Sequence, residues 1–178
     1  DGRHVESVLM RDEGANRTSL CLSSQVGCPL ACTFCLTGFG GFERNLTADE
    51  ILGQALEVRR RLMAPDEKLH QAVLMGMGEP LLNLEGVLPA LRLLVDPNGF
   101  GLSRRRVTVS TAGVAPGIER LGREGPIVGL AVSLNATTDE VRSRLMPLNK
   151  RWPIGELMAA LRRRRPGKRL SFTSRPKA

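Results

Sequence analysis

The sequence predicts an α/β fold whose parallel sheet takes the form of a partial (β/α) barrel. Segments typical of strands alternate with segments typical of helices along the 178 residues, which is the pattern of successive βαβ units. Residues 72–77 form a continuous apolar run, as expected for a strand that is buried on both faces of a parallel sheet. About four βα units are present, which is too few for a complete eightfold barrel.

The first elements surround a long glycine-rich loop. Residues 5–10 and 18–23 predict two short strands on either side of a polar turn, and the loop that follows carries the cysteines. Thr47 and Glu50 then form the pattern of a capping box, because a hydroxyl and a carboxylate three residues apart can each bond the other's backbone N–H. We therefore expect a helix from this point to about Met63.

The later elements alternate regularly after the apolar strand. We expect a helix that contains Pro89, a strand, a short helix and a further strand, over residues 84–95, 106–111, 116–121 and 127–134. Residues 138–140 begin another helix that Pro147 ends. Pro153 suits the first turn of the next helix, where its missing N–H has no helical partner to lose.

Charge gives little indication of a partner. Residues 1–150 carry 17 basic and 17 acidic side chains, so the net charge of +8 belongs to the last 28 residues, with nine basic and one acidic. A short basic tail is compatible with nucleic acid, but charge alone favours a solvated or disordered chain end. No apolar run approaches the roughly 20 residues of a membrane span, so we expect a cytoplasmic enzyme or binding domain. Because residue 1 is Asp, we expect part of a longer chain.

All four cysteines lie between positions 21 and 35. Structural disulfides usually join distant segments, whereas this clustering in a non-secreted chain is typical of a metal site. A tetrahedral zinc site is one interpretation, although such sites generally take their ligands from two separate knuckles. A redox pair of Cys32 and Cys35 is another, but it leaves Cys28 without a role.

Polar clusters follow three successive predicted strands, at residues 76–80, 110–113 and 133–135. Each cluster alone could be an ordinary turn. The carboxyl ends of parallel strands meet at one edge of a sheet, where reactive residues usually lie. Three such clusters, at the edge that the cysteine-containing loop also faces, predict a single pocket.

The spacing Cys28-x-x-x-Cys32-x-x-Cys35, in a loop after the first strands, resembles the signature of the radical S-adenosylmethionine enzymes. This resemblance implies the partial (β/α) barrel of that superfamily, with a 4Fe–4S cluster and S-adenosylmethionine as cofactors. Three thiolates would hold three irons and leave the fourth open to the amino and carboxylate groups of S-adenosylmethionine. One electron then cleaves the sulfonium to a 5′-deoxyadenosyl radical.

Longer motifs indicate one family within this superfamily. Residues 21–28, 76–83, 109–113 and 131–136 together resemble, in order and spacing, the dual-specificity 23S ribosomal RNA and transfer RNA adenine-C2 methyltransferases. The resemblance covers residues 1–161, as an incomplete radical S-adenosylmethionine core. The basic tail at residues 162–178 departs from the family pattern. The adenine-C8 methyltransferases share much of this pattern and remain the alternative.

The family's motifs imply roles for individual residues of this chain. Cys28, Cys32 and Cys35 match the cluster ligands. Gly78 and Glu79 match the pair that receives the methionine part of S-adenosylmethionine. Further cofactor contacts are implied at Ser110, Ser133, Leu134 and Asn135.

Two residues match catalytic roles in the family's reaction, in which a methylated cysteine of the enzyme gives rise to a covalent protein–RNA adduct. Glu6 matches the acceptor of the C2 proton of adenine, and Cys21 matches the thiol that resolves the adduct and releases the product as a disulfide. The methyl-carrying cysteine should lie far toward the carboxyl end, yet no Cys follows Cys35. We therefore expect an incomplete chain that lacks this cysteine and the family's amino-terminal RNA-binding domain.

The resemblance also implies partners. We expect 23S ribosomal RNA and transfer RNA as substrates, an electron donor such as flavodoxin or ferredoxin, no membrane, and a monomer. Two other classes stay open. One is a Cys₄ zinc module that binds nucleic acid, with the four cysteines as ligands. The other is a different radical enzyme that acts on a small molecule.

Overall fold

The computed structural model describes residues 1–164 and 169–173. The strands in this part of the chain are β1 (Val8–Asp12), β2 (Arg17–Cys21), β3 (Gln25–Gly27), β4 (Phe42–Asn45), β5 (Gln71–Leu74), β6 (Val107–Thr111), β7 (Gly129–Ser133) and β8 (Leu170–Thr173). The helices are α1 (Leu36–Phe39), α2 (Ala48–Leu62), α3 (Leu84–Val95), α4 (Ala115–Glu124), α5 (Asp139–Leu145) and α6 (Ile154–Arg163).

The main sheet has six strands in the order β1-β2-β5-β6-β7-β8. Strand β1 runs antiparallel to β2, and the other neighbours are parallel. Ala72 pairs with Val107, and Thr108 pairs with Gly129, so the carboxyl ends of β5, β6 and β7 lie side by side. This arrangement confirms the predicted α/β class with a mainly parallel sheet.

Helices that follow the parallel strands cover the sheet. Helix α2 packs against α3, and α4 packs against α6. Side chains from the strands and from α3 and α4 form one core in which Leu74, Val109, Leu130, Leu91 and Ile118 are at most 1% exposed. Burial of this apolar surface is the main contribution to the stability of the fold.

Helix α2 begins where the capping box predicts. Glu50 N donates to Thr47 Oγ1 (3.3 Å), and Thr47 N donates to Glu50 Oε2 (2.9 Å). The guanidinium of Arg44 holds the Glu50 carboxylate as well. These contacts fix the first turn of α2 directly after the cysteine-containing region.

Helix α3 runs through Pro89 without ending there. Proline removes one helical hydrogen bond and crowds the preceding turn. Burial of the leucine-rich face of α3 offsets that cost, because Val87, Leu88 and Leu94 are at most 4% exposed.

The glycine-rich loop is more ordered than the sequence predicts. It contains the short helix α1 and a two-stranded antiparallel sheet of β3 and β4. A Cβ atom at Gly27 would lie 2.0 Å from the carbonyl oxygen of Gly41, and Gly27 has φ of +76°. Only glycine allows these two backbones to approach so closely.

Strand β8 lies within residues 162–178, the segment that is predicted to be a basic tail. It pairs in parallel with β7, with Leu130 opposite Leu170. Residues 165–168 and 174–178 of that segment lie outside the described residues. The boundary after residue 161 stays a prediction. Among the described residues, no helix has the length and apolar character needed to cross a membrane.

Candidate functional site

A cavity of about 160 Å³ opens at the carboxyl ends of β5, β6 and β7. Three thiols and the polar residues after these strands line it: Cys28, Cys32, Cys35, Gly78, Glu79, Ser110, Thr111, Ala112, Ser133 and Asn135. The apolar part of the wall includes Leu30, Phe34, Met75, Pro80 and Met146. The predicted convergence of the cysteines and the three strand ends in one pocket is therefore what the structure shows.

The cysteine loop, residues 28–35, is held at both ends by backbone hydrogen bonds. Cys28 N donates to Gly41 O (2.8 Å), which joins the loop to the start of β4. Cys35 N donates to Cys32 O (3.1 Å), and Thr33 N donates to Leu145 O at the end of α5 (3.0 Å). These bonds turn the three thiols toward the same cavity.

Burial raises the pKa of the Cys28 thiol, and it raises the pKa of Cys32 to about 11. Neighbouring thiol and carboxylate charges add to the effect: Glu79 and Cys35 act on Cys28, and Cys28, Cys35 and Glu79 act on Cys32. Metal binding must therefore displace protons from these two thiols.

The donor set fits an iron–sulfur cluster. Thiolates are the usual ligands of such clusters, and three half-buried cysteines line the same cavity. Within residues 1–164 and 169–173, no group of three or more His, Cys, Asp or Glu is placed to hold a single metal ion. A 4Fe–4S cluster does not need three side chains around a single metal ion, because each thiolate binds a different iron.

Gln25 joins the β3 strand to the loop after β5. Its Oε1 accepts a hydrogen bond from Glu79 N (2.8 Å), and its Nε2 donates to Asn45 Oδ1 (2.7 Å). A Cβ atom at Gly78 would lie 2.5 Å from Gln25 Cβ, and Gly78 has φ of +98°. Glycine at position 78 is therefore required by a close approach and by a left-handed backbone.

Glu79 lines the cavity, but its carboxylate is already engaged by the protein. Its Oε1 accepts from Leu81 N (3.1 Å), and its Oε2 accepts from Ala112 N (2.7 Å). The side chain is 3% exposed, and burial raises its pKa to about 7, although the hydrogen bonds from Ala112, Thr111 and Leu81 favour the ionised form. The carboxylate thus ties the end of β5 to the end of β6, and its contact with S-adenosylmethionine stays a prediction.

The other predicted cofactor residues divide into two groups. Ser110, Ser133 and Asn135 line the cavity, and Asn135 adopts a left-handed backbone with φ of +58°. Leu134 does not line it; its side chain packs against the core, and its backbone carbonyl accepts a hydrogen bond from Arg142. A contact of Leu134 with the cofactor would have to come from its backbone.

Cys21 and Glu6 lie outside this cavity. The half-buried Cys21, at the end of β2, has a pKa raised by burial and lowered in part by a hydrogen bond from the backbone of Met75. Glu6 borders a second cavity of about 470 Å³ on the side of residues 36–40. Ser23 Oγ donates to Glu6 O (2.7 Å), and Ser7 Oγ donates to Gln54 Oε1 (2.8 Å). The segment that carries Glu6 is therefore attached to β2 and α2.

Sequence reasoning missed the residues that position the site. Gln25 lies within residues 21–28, one of the motifs that carry the family resemblance. Its polar side chain between buried residues could have indicated a role in positioning the site. Arg142 in α5 gave no such signal, because an arginine in a short charged helix usually lies on the surface. The structure places Arg142 in the interior, with no exposed surface.

The fold and the thiol-lined cavity indicate a class of protein, and comparison with known protein families identifies the same class. A family model described as the Radical SAM superfamily matches residues 22–172. The chain belongs to the Radical SAM superfamily. Its members use a 4Fe–4S cluster and S-adenosylmethionine. The predicted fold class and both predicted cofactors are thereby confirmed.

More specific similarities concern two curated proteins and one solved structure. The dual-specificity RNA methyltransferase RlmN of Pelobacter propionicus is 58% identical over 162 residues, covering 91% of this chain and 45% of the relative. A probable RlmN of Moorella thermoacetica is 50% identical over 177 residues, covering 97% and 50%. A radical SAM methyltransferase from Sphaerobacter thermophilus has a TM-score of 0.91 at 47% identity, covering 98% and 51%. This chain spans about half the length of the relatives it matches.

Proposed function

We propose that this chain forms the radical S-adenosylmethionine core of an RNA methyltransferase that methylates C2 of adenine in 23S ribosomal RNA and transfer RNA. The observation that carries the proposal is the single cavity in which three thiols face the carboxyl ends of β5, β6 and β7. The similarity to proteins named as dual-specificity RNA methyltransferases supports the choice of RNA as substrate.

Cys28, Cys32 and Cys35 would hold the iron–sulfur cluster, and the loop after β5 would receive the methionine part of S-adenosylmethionine. When bound, the two cofactors supply the one-electron cleavage of the sulfonium carbon–sulfur bond. The left-handed Gly78 lines the cavity. Gln25 holds the N–H of the Gly78–Glu79 peptide, and the Glu79 carboxylate holds the N–H of Ala112. The apolar part of the cavity wall would lie against the bound cofactor.

Ser110, Ser133 and Asn135, at the ends of β6 and β7, form another part of the cavity wall. They would bind the remaining polar atoms of S-adenosylmethionine and fix its orientation. The backbone of Leu134, which lies between Ser133 and Asn135, would complete this wall.

Glu6 would accept the C2 proton of adenine at its carboxylate. Its exposure and its place beside the second cavity support this role, since a base must reach a substrate that enters from solvent. Cys21 would resolve the covalent adduct as a nucleophile: its sulfur would attack the sulfur of the methyl-carrying cysteine and break that sulfur's bond to the methylene carbon. The carbon would keep the electron pair of the broken bond, and the two sulfurs would be left as a disulfide. In the structure all four cysteines are free thiols, and burial raises the pKa of the Cys21 thiol, so its proton must leave before the sulfur can attack.

We propose further that the protein acts in the cytoplasm as a monomer and takes its electron from flavodoxin or ferredoxin. The need of radical S-adenosylmethionine enzymes for a reductant supports an electron donor of this kind. The presence of ribosomal and transfer RNA in the cytoplasm supports the location.

The test joins this chain to the amino-terminal domain and the carboxyl-terminal segment of the Pelobacter relative and incubates the product with S-adenosylmethionine, dithionite and 23S ribosomal RNA or transfer RNA. We expect 2-methyladenosine in both RNAs by mass spectrometry of the nucleosides. Formation of 8-methyladenosine instead would support the C8 alternative. RNA without either nucleoside would contradict the proposed function.

A further inference from the structure

Arg142 is a buried cation held by carbonyl oxygens. Its side chain has no exposed surface, and none of the ion pairs within the described ranges 1–164 and 169–173 includes it. Burial lowers the pKa of Arg142, with opposing contributions from Asp139 and Cys32. A buried charge is costly unless its donors are satisfied, so the partners of this guanidinium have to offset a substantial penalty.

These partners lie at the ends of two strands that form the cavity. Arg142 Nε donates to Leu134 O (3.0 Å), and Nη2 donates to Ala112 O and, more weakly, to Ser133 O (3.4 Å). The remaining nitrogen, Nη1, donates to Asn149 Oδ1 (2.7 Å). One planar guanidinium therefore joins the end of β6 to the end of β7, which a single ammonium group could not do with the same geometry.

The peptide groups that Arg142 holds belong to the wall of the cavity. Ala112 lines the cavity, and its N–H is bound by Glu79 Oε2 while its carbonyl is bound by Arg142. Leu134 lies between Ser133 and Asn135, which both line the cavity. A Cβ atom at Gly113 would lie 3.1 Å from Arg142 Nη2, so glycine at this position leaves room for the guanidinium.

We propose that Arg142 is a positioning residue for S-adenosylmethionine: its guanidinium fixes the carbonyls of Ala112 and Leu134, so that the ends of β6 and β7 are preorganised for the cofactor. The inference rests on the cofactor that the superfamily uses, not on the RNA substrate. Loss of RNA methylation would therefore not bear on it.

The chain offers a matched control in Arg164. This second buried arginine is 8% exposed, and its Nη2 donates to Val128 O (2.9 Å), just before the start of β7. It therefore serves the same strand at the opposite end, away from the cavity. Substitution of either arginine by methionine should lower the melting temperature, because each leaves carbonyls unpaired.

The experiment compares Arg142→Met, Arg142→Lys and Arg164→Met after anaerobic reconstitution of the cluster. Iron content, thermal unfolding by circular dichroism and the dissociation constant of S-adenosylmethionine by equilibrium dialysis are measured for each protein. We expect Arg142→Met to weaken cofactor binding by roughly 10–100-fold, the loss that is typical when a residue that orients the ligands of a metal site is removed. Arg142→Lys should weaken binding less, and Arg164→Met should bind as the unmodified chain does.

The spectrum of the reduced cluster gives a second readout. Added S-adenosylmethionine should change the electron paramagnetic resonance signal of Arg164→Met and of the unmodified chain at a concentration that leaves Arg142→Met unchanged. Arg142→Lys decides the question if Arg142→Met does not fold. Normal affinity in Arg142→Lys, or equal affinities in Arg142→Met and Arg164→Met, would overturn the inference.

Discussion

Gly78 is the position where one added carbon atom should matter most to the cofactor site. In Gly78→Ala or Gly78→Val the new Cβ atom would meet Gln25 Cβ at 2.5 Å, on a backbone with φ of +98°. Strain of this kind costs on the order of 1–3 kcal/mol and moves the Gly78–Glu79 peptide, whose N–H donates to Gln25. We expect S-adenosylmethionine to bind about tenfold more weakly or worse, while the iron content stays normal.

Gly53 provides the control for this prediction. It lies within α2, and a Cβ atom there would meet nothing within 4 Å. Gly53→Ala should stabilise the chain by about 0.5–1 kcal/mol, because alanine favours the helix, and should leave cofactor binding unchanged. If Gly78→Ala behaved like Gly53→Ala, the loop after β5 would be an ordinary turn.

The three cavity thiols carry the second residue-scale prediction. Cys28→Ala, Cys32→Ala and Cys35→Ala should each abolish the brown 4Fe–4S cluster, because each removes the ligand of one iron. Cys21→Ala should keep it, since Cys21 does not line the cavity. Metal and sulfide analysis of the reconstituted proteins measures this, and stoichiometric zinc without sulfide in the unmodified chain would contradict the cluster assignment.

At the scale of single elements, the start of α2 makes a prediction about stability. Thr47→Ala removes the side-chain acceptor of Glu50 N, and loss of such a cap costs about 1 kcal/mol. Ser103, at the start of the 3₁₀ turn Arg104–Arg106, makes no side-chain capping bond. We therefore expect Ser103→Ala to change the free energy of unfolding by less than about 0.5 kcal/mol. Urea unfolding followed by circular dichroism compares the two variants, and equal losses would contradict the capping role.

The elements also show where sequence reasoning succeeds. Helix α2 was predictable because its start depends on two residues three positions apart, Thr47 and Glu50, whose contacts are local. Strands β3 and β4 were not, because each has at most four residues and their pairing joins Val26 to Arg44 across the cysteine loop. Helix α3 was predicted over residues 84–95 in spite of Pro89 and is confirmed, since burial of the helix face, rather than local propensity, decides the outcome there.

The candidate site shows the same division. Cys28, Cys32 and Cys35 were recognisable from their spacing, and the strand-end clusters from their position after apolar segments. Arg142 was not, because its role depends on carbonyls at Ala112 and Leu134, which are distant in sequence and carry no signal in their side chains. The identity of a residue does not indicate which donor its backbone carbonyl will accept a hydrogen bond from.

At the scale of the whole molecule, the parallel sheet brings the cofactor residues together but leaves Glu6 and Cys21 outside the cavity. The proposed reaction requires a methyl-carrying cysteine, and none follows Cys35 in this chain. We therefore expect Cys21 to act only in a chain extended with the carboxyl-terminal segment of a relative. In that protein, Cys21→Ala should trap the covalent protein–RNA adduct, since nothing else releases it.

A denaturing gel of the extended protein with labelled RNA measures the adduct. The matched Cys32→Ala variant of the same protein should form none, because it lacks the cluster. The resolving role of Cys21 would be contradicted if neither variant formed the adduct and if Cys21→Ala methylated RNA normally.

The central claim is that the thiol-lined cavity at the ends of β5, β6 and β7 cleaves S-adenosylmethionine by one-electron reduction. The measurement that tests it most directly is 5′-deoxyadenosine formed by the reconstituted 178-residue chain with dithionite, with Cys32→Ala as the control. We expect slow formation by the unmodified chain, none by Cys32→Ala, and no methyladenine in added RNA. Equal amounts of 5′-deoxyadenosine from both proteins, or none from the unmodified chain with a full cluster, would contradict the account.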